Sequence, residues 1–240
     1  MTTTLTMIRY RKRYIPFALL AMALFRFPLW TNKKVSFFKL MGSGRKGSFD
    51  KNPDWQQWGI LTVRKADQPL LFPVKENSLK ALYGSFIFKW LCVFHCETWT
   101  VFLEPMESHG LWDGRKVFGE LPPRSGYMGM IAVLTRATIR ISRLGRFWGH
   151  VDATAREMSL ATGFISSLGI GEMPLIKQAT FSIWQSAEDM KNFAYGMKDH
   201  QQVIRLTRKE KWYREEMFTR FRITGSLGTL KGVNPLTGKL

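Results

Sequence analysis

Three short segments in the first half of the chain are echoed, in the same order, in the second half. The pairs are FFKLMGSG (37–44) with FISSLGIG (164–171), GILTVRKAD (59–67) with FSIWQSAED (181–189), and SHGLWDG (108–114) with SLGTLKG (226–232). The spacing between partners is similar in all three pairs. An ordered repeat of this length indicates that both halves adopt the same supersecondary unit. We therefore interpret the chain as an internal duplication.

Hydrophobic periodicity predicts the same order of elements in each half. In the first half we expect strands at 5–11, 35–40, 58–63 and 98–104, with helices at 15–29 and 77–90. In the second half we expect strands at 130–139, 164–168, 178–184 and 217–223, with helices at 144–160 and 187–208, the latter broken at Gly196. This βαββαβ order is that of a ferredoxin-like unit. The predicted fold class is α+β: tandem ferredoxin-like units that form an intrachain dimeric α+β barrel.

The Pro- and Gly-rich stretch ELPPRSGYMG predicts the boundary between the halves. We place the first ferredoxin-like half at 1–120, a linker at 121–129 and the second half at 130–240. The first apolar stretch, IPFALLAMALF (15–25), is interrupted by Arg26 and followed by no small-residue cleavage site. We therefore predict a buried amphipathic helix there rather than a signal peptide or a membrane span.

Composition limits the possible partners of the chain. Of 240 residues, 45% are hydrophobic and 14% are aromatic, which suits a large core or an apolar cavity. The net charge of +18 favours nucleic acid or an anionic membrane surface. Tandem ferredoxin-like units also occur in RNA-recognition proteins, but neither MIAVLTRATI nor FFKLMGSG matches the aromatic strand motif of that module. The chain is therefore not predicted to bind nucleic acid. Two cysteines, Cys92 and Cys96, indicate a reducing compartment such as the cytoplasm.

The stretch SLGIGEMPLIKQATFSIW contains a Gly-x-Gly pattern that can signify a phosphate-binding loop. Such a loop must be followed by a helix N-terminus, whereas an alternating strand follows here. We therefore interpret Gly169 and Gly171 as the positive-φ turn of a strand-to-strand connection.

The four histidines do not have zinc-site spacing. Cys92, His95 and Cys96 lie close together but have no partner pair elsewhere in the sequence. His200 lies in a helical segment whose Val203, Ile204 and Leu206 form an apolar side. This position is compatible with haem ligation, although a surface or a hydrogen-bonded core histidine is the commoner outcome for a lone histidine.

The second half reads AVLTRATIR, RFWGHV, GIGEMPLIKQATFSIW, FAYGMKDHQQVIR and WYREEMFTRFRI, and the first half contains FFKLMGSG and WQQWGILTV. This succession resembles the spheroidene monooxygenases, the carotenoid 2-ketolases of purple bacteria. Two features depart from that family: GTLKG stands where members often have Gly-x-Trp-x-Gly, and the first predicted helix is rich in Phe and Met rather than Ala.

The resemblance implies a monooxygenase that binds haem iron and uses dioxygen and an electron donor to introduce a keto group into an acyclic carotenoid such as spheroidene. Carried onto this sequence, it implies catalytic or propionate-binding roles for Arg136, Glu172 and Arg220. It further implies a haem pocket lined by Trp148, Phe181 and Trp184, with His200 as the axial ligand of the iron and His150 as the alternative. The positive charge would then attract the protein from the cytoplasm to anionic membrane lipid. The competing interpretation is a non-catalytic haem- or lipid-binding α+β barrel.

Overall fold

The computed structural model describes residues 1–45, 50–65, 67, 78–196 and 198–240; the side chains of 198–200, 202 and 204 lie outside this description. The strands are β1 (Thr2–Arg9), β2 (Val35–Gly44), β3 (Pro53–Arg64), β4 (Glu97–Gly110), β5 (Ile131–Ile139), β6 (Phe164–Met173), β7 (Lys177–Trp184) and β8 (Tyr213–Gly228). The helices are α1 (Ile15–Leu24), α2 (Arg26–Thr31), α3 (Ser78–Val93), α4 (Leu144–Leu160), α5 (Ala187–Gly196) and α6 (Lys198–Glu210).

The eight strands form a closed barrel in the order β1-β3-β2-β6-β7-β5-β8-β4. Within each half the last strand, the first, the third and the second are neighbours, which is the order of a ferredoxin-like sheet. The central pairings are antiparallel: β1 pairs with β3 and β4, and β5 pairs with β7 and β8. The predicted α+β barrel is confirmed, and the strand parts of the echoed segments lie on equivalent strands of the two halves: β2 and β6, β3 and β7, and β4 and β8.

The chain divides into two compact units. Unit 1 comprises Met1–Gly42, Asp54–Glu104 and Ile223–Leu240, and unit 2 comprises Ser43–Pro53 and Pro105–Arg222. Residues 120–129, all of which are described, contain neither helix nor strand. The division of the sequence at 120 and 130 into two ferredoxin-like halves stays a prediction.

Each unit has an apolar core between its helices and one face of its strands. In unit 1, Ala18 and Ile87 of the helices, together with Phe25 between α1 and α2, pack over Ile8 and Ile60 of the strands. Strand side chains alternate between two faces, so only every second residue of a strand meets the helices. This alternation decides which side chains in unit 2 can reach a cavity under its helices.

The two glycines of SLGIG do not form a turn, contrary to the sequence-based expectation. Gly169 and Gly171 lie inside β6, and the connection to β7 is made at 174–176, where Leu175 has φ 65°. A Cβ on Gly171 would lie 2.9 Å from Nε2 of Gln178, so glycine permits the close approach of that side chain. Strand β7 follows the turn, in agreement with the interpretation that no helix N-terminus is available to bind phosphate.

The prediction of a buried amphipathic first helix is also wrong. Only Ala18 and Ala21 of α1 are buried, whereas Phe17, Leu19 and Leu20 are exposed. Nearly every residue of α1 is apolar, so the sequence contains no polar face that would distinguish the solvent side from the core side. The segment Lys12–Thr31 is long and apolar enough to cross a membrane by length and composition.

Candidate functional site

Two equivalent loops bind the carboxylates of Glu215 and Glu97. After β4, the backbone N–H groups of Asp113 and Gly114 donate to Glu215 over 2.9 and 2.8 Å. After β8, the N–H groups of Lys231 and Gly232 donate to Glu97 over 2.9 and 2.6 Å. The loops are the echoed segments SHGLWDG and SLGTLKG. The repeat in the sequence therefore corresponds to a repeated structure, in which two backbone N–H groups of a loop donate hydrogen bonds to one glutamate carboxylate.

Backbone donors lower the pKa of both carboxyls. Burial raises the pKa of Glu215, but the N–H groups of Gly114 and Asp113 together with Arg136 outweigh burial, and the pKa lies below the ordinary value. Burial opposes the shift at Glu97 in the same way, and Gly232, Thr229 and Lys231 hold its pKa below the ordinary value. These carboxylates stabilise the fold when charged, and this contribution is lost as the pH falls through their folded pKa values.

We therefore expect Glu97→Gln/Glu215→Gln to be less stable than the wild type at pH 7 by about 2–4 kcal/mol, because charge-assisted hydrogen bonds are lost. The difference should shrink below the ordinary carboxyl pKa of 4.5, where the wild type loses the same contribution. Urea titrations between neutral and acidic pH measure this. Glu120→Gln is the control, since Glu120 is exposed and forms an exposed ion pair with Lys116. If the difference in stability between the wild type and the double variant stayed constant down to acid pH, the stabilisation could not be assigned to the charged carboxylates.

Arg136 on β5 organises a polar cluster beside the Glu215 loop. Its side chain is only 1% exposed and forms ion pairs with Asp113, Glu172 and Glu215. Glu172 also accepts a hydrogen bond of 2.8 Å from the Trp112 indole, whose ring lies 5.7 Å from the Arg136 guanidinium. The structure thus brings together two of the predicted residues, Arg136 and Glu172. A buried guanidinium among three carboxylates holds the loop to the strands.

A cavity lies under the helices of unit 2, on the face of the sheet opposite to Arg136. Its floor is the alternating face of two paired strands: Val133, Thr135 and Ala137 of β5, and Thr180, Ser182 and Trp184 of β7. Arg136 lies between Thr135 and Ala137 in sequence, so its side chain extends from the other face of the strand. The predicted role of Arg136 as a propionate partner is therefore not compatible with a ligand in this cavity.

The roof of the cavity is mainly apolar. It is formed by Phe147, His150 and Met158 of α4, Met190 and Phe193 of α5, and Val203 of α6. A concave, mostly apolar site with a few polar groups is typical of small-molecule binding. The arrangement can exclude water from a hydrophobic ligand and still present hydrogen-bonding groups to it.

Two polar side chains at the cavity are set in defined states. Nδ1 of His150 lies 2.9 Å from the carbonyl oxygen of Arg146. Because a carbonyl only accepts hydrogen bonds, Nδ1 carries the proton in the neutral ring and Nε2 keeps its lone pair. Burial raises the pKa of Tyr213 to about 12, partly offset by a hydrogen bond with Thr207, so Tyr213 keeps its phenolic proton at neutral pH.

The equivalent space in unit 1 is filled by a tyrosine. Thr6 and Thr135 occupy equivalent positions in the repeat. Each lies the same number of residues before the short 3₁₀ helix that follows its strand, which is Lys12–Tyr14 after β1 and Ile141–Arg143 after β5. The hydroxyl of Tyr83, from α3, lies 2.6 Å from the hydroxyl of Thr6. Tyr83 is 1% exposed, and burial raises its pKa against the effect of its hydrogen bonds. The space over Thr6 is therefore filled, whereas the space over Thr135 is part of the cavity.

The aromatic residues predicted to line a pocket divide into two groups. Trp184 lines the cavity. Phe181 precedes Ser182 on β7 and is buried on the opposite face of the sheet. Trp148 packs in a core cluster with Phe147 and Trp212, and its indole donates to the carbonyl of Leu175 over 3.2 Å. Phe181 and Trp148 are therefore not among the residues that line this cavity, and their predicted part in a haem pocket stays a prediction.

Arg220 lies on the same face of β8 as Phe218, which lines the cavity. It forms an ion pair of 2.7 Å with the buried Glu107, and its guanidinium is 5.3 Å from the Phe218 ring. Its Nε is buried and has no hydrogen-bond partner among the residues that the structure describes. Arg220 is thus the predicted arginine that remains close to the cavity with an unused donor.

His200 lies in α6, as predicted, but its side chain is outside the described residues. The break predicted at Gly196 is confirmed, since α5 ends there. Cys92 and Cys96 are free thiols. Within the described part of the chain, no group of three or more His, Cys, Asp or Glu side chains could hold a metal ion.

Sequence reasoning missed Glu215, Asp113 and Tyr213. The SHGLWDG echo marked the loop that holds Glu215, but no pattern marks which strand carboxylate the loop captures. Tyr213 reaches the cavity only because β5 and β8 pair with Ile139 opposite Tyr213. Pairings between segments so distant in the chain produce no local sequence pattern from which they could be predicted.

The fold is shared with solved structures. Two aldoxime dehydratase structures, one in complex with butyraldoxime, give TM-scores of 0.61 and 0.60. They cover 98% of this chain and 84% and 86% of theirs, at 9% sequence identity. The closed strand order and the cavity thus define a duplicated α+β barrel with a cavity in its second half.

Curated relatives narrow this class to a family. The chain is 31% identical to the spheroidene monooxygenase of Rhodobacter capsulatus over 94% of this chain and 91% of that protein. It is 34% identical to the Cereibacter sphaeroides protein of the same name over 85% of this chain, but spans only 60% of that relative's length. A third, from Rubrivivax gelatinosus, is 30% identical. No family model matches the sequence. The chain belongs to the spheroidene monooxygenase family.

Proposed function

We propose that the protein is a haem-dependent monooxygenase that introduces a keto group into an acyclic carotenoid such as spheroidene. The observation that carries the proposal is the apolar cavity of unit 2, with one histidine nitrogen available at its wall, in a chain of this family. Dioxygen and an electron donor would be the co-substrates. Two free cysteines support a cytoplasmic location.

The donor groups at the cavity fit a haem. Iron in haem proteins is commonly held by one imidazole whose other nitrogen donates to a carbonyl or a carboxylate. His150 has this arrangement, because Nδ1–H donates to the carbonyl of Arg146, and Nε2 has no hydrogen-bond partner within the described part of the chain. We therefore propose that His150, before His200, would hold the haem iron, which reverses their order in the expectation from the sequence.

Arg220 is the residue that would bind a haem propionate. A guanidinium N–H is a strong donor to carboxylates, and the Nε of Arg220 is buried without a partner. The pairing with Glu107 orients the guanidinium and leaves this donor unused. Arg136 and Glu172, by contrast, would act by holding the Trp112–Gly114 loop against the sheet.

Haem would supply the activation of dioxygen when bound. The chain itself binds and orients the substrate: Trp184, Phe193 and Met190 offer an apolar wall that excludes water from a hydrocarbon chain end. Tyr213 keeps a hydroxyl proton that can be donated to an oxygen atom in the cavity.

An absorption spectrum of the protein titrated with haem tests the cofactor. We expect His150→Ala to lower haem affinity at least about tenfold, because the axial ligand is lost. His109→Ala is the matched control, since His109 is exposed and distant in sequence from the cavity residues. Loss of the Soret band in His200→Ala but not in His150→Ala would move the ligand to His200. Failure of the wild type to bind haem would contradict the proposal that haem is the cofactor.

Turnover tests the reaction separately. The haem-loaded protein, supplied with spheroidene, dioxygen and a reductant, is expected to form a keto carotenoid that carries oxygen from labelled dioxygen. A protein that binds both haem and carotenoid without forming product would instead be a binding protein.

A further inference from the structure

The surface formed by α1, α2 and α3 in unit 1 is apolar and exposed, although its helices also pack on the core. Ala18, Ala21, Phe25 and Leu29 are buried in a stripe against the sheet. On the outer side, Trp30 is 77% exposed and Phe27 is 69% exposed. We call this outer side the α1–α2 surface and define it by its exposed apolar residues Phe17, Leu20, Leu24, Phe27, Trp30 and, on α3, Phe86.

The rim of the α1–α2 surface is cationic at both ends of the α1–α2 segment. Arg11, Lys12 and Arg13 precede α1, and Lys33 and Lys34 follow α2; all five are exposed. The sequence contains no Asp or Glu before Asp50. Apolar side chains surrounded by Lys and Arg, with tryptophan near the rim, are typical of helices that lie in the interface of an anionic bilayer.

Charge distinguishes a lipid partner from a second copy of the chain. Two copies joined through this surface would bring the same cationic rims together without acidic partners from these segments, which is unfavourable. Anionic headgroups neutralise the rim and the acyl region accepts the apolar centre. The stripe from Ala18 to Leu29 is part of the core, so this helix pair cannot span the bilayer without leaving the sheet.

We propose that the α1–α2 surface docks unit 1 on an anionic lipid bilayer, with Phe27 and Trp30 inserted among the acyl chains and Arg11–Arg13 at the headgroups. The helix pair then lies in the plane of the interface. Docking does not depend on the proposed reaction, because neither haem nor carotenoid contributes to this surface.

Co-sedimentation with carotenoid-free vesicles tests the proposal. The wild type should bind phosphatidylcholine–phosphatidylglycerol vesicles more tightly than phosphatidylcholine vesicles, and less tightly at high salt. Phe27→Ser/Trp30→Ser should lower the partition coefficient at least about tenfold on both. Ile141→Ser/Leu160→Ser is the matched control, since these residues are 75% and 79% exposed but lie in unit 2. The control should bind like the wild type.

A second variant tests the rim. Arg11→Gln/Lys12→Gln/Arg13→Gln should lower binding to the anionic vesicles about a hundredfold and leave binding to phosphatidylcholine vesicles nearly unchanged. Lys191→Gln/Lys209→Gln/Lys239→Gln removes as many exposed cations elsewhere and should have a much smaller effect. Circular dichroism melts check that all variants are folded.

Two results would overturn the proposal. One is wild-type vesicle binding by Phe27→Ser/Trp30→Ser. The other is a change from dimer to monomer in that variant, measured by sedimentation velocity, with unchanged vesicle binding; the surface would then be an interface between two copies.

Discussion

Gly110→Ala is expected to lower the free energy of unfolding by about 4 kcal/mol or more. Gly110 ends β4 with φ 81°, a conformation that costs alanine energy. A Cβ at this position would also overlap the backbone carbonyl oxygen of Glu216, which accepts a hydrogen bond from Leu111. A backbone oxygen cannot rotate away as a side chain can, so the strand and the loop would have to separate.

The matched control is Gly114→Ala. Gly114 has φ 73°, but a Cβ there would meet nothing within 4 Å. Only the conformational cost remains, about 1–2 kcal/mol. Chemical denaturation of both variants measures the difference. A Gly110→Ala protein as stable as Gly114→Ala would show that the loop after β4 does not need this close approach.

Ala155→Phe is expected to lower carotenoid turnover at least about a hundredfold while the protein stays folded. Ala155 is on α4 and lines the cavity of unit 2. A phenyl ring at this position would occupy space that the proposed ligands need, and displacement of a reacting group by about 1 Å already costs about a hundredfold in rate. Because the cavity offers room, the ring should not produce the strain of an overpacked core.

Ala153→Phe controls for the change of residue type. Ala153 is exposed on the same helix, two residues away. Its turnover and haem spectrum should match those of the wild type. Equal turnover in Ala155→Phe and Ala153→Phe would mean that the reaction does not take place in this cavity.

Much of the fold could be predicted because it is repeated. The hydrophobic pattern of β2 and that of β6 are each ambiguous when taken alone. Because the two strands carry related segments at equivalent positions, each supports the prediction of the other. The element order, the break after Gly196 and the strand that follows SLGIG were all accessible, since each depends on local periodicity and on turn residues. The family followed from the same segments and is confirmed by the curated relatives.

The site was less predictable, because candidate residues could be selected from the sequence only by their amino-acid type. Arginines and aromatic residues are suitable for a haem pocket, but suitability does not state which face of a strand they occupy. Thr135 and Arg136 are adjacent in sequence and extend from opposite faces of β5. In the same way, the exposed side of α1 could not be predicted, because the helix is apolar throughout and no polar residue distinguishes that side.

The sequence by itself determined the duplicated βαββαβ order, because strand and helix periods and the ordered echoes are properties of neighbouring residues. It also determined the family and the cationic, acid-free character of the first segment. Only the tertiary structure decided that the space over Thr6 is filled while the space over Thr135 stays open. That outcome depends on Tyr83 reaching Thr6, 77 residues away, in unit 1, whereas the helices of unit 2 place no such side chain over Thr135 among the described residues. Contacts between side chains so far apart depend on how helices pack on the sheet, and local patterns do not record that packing.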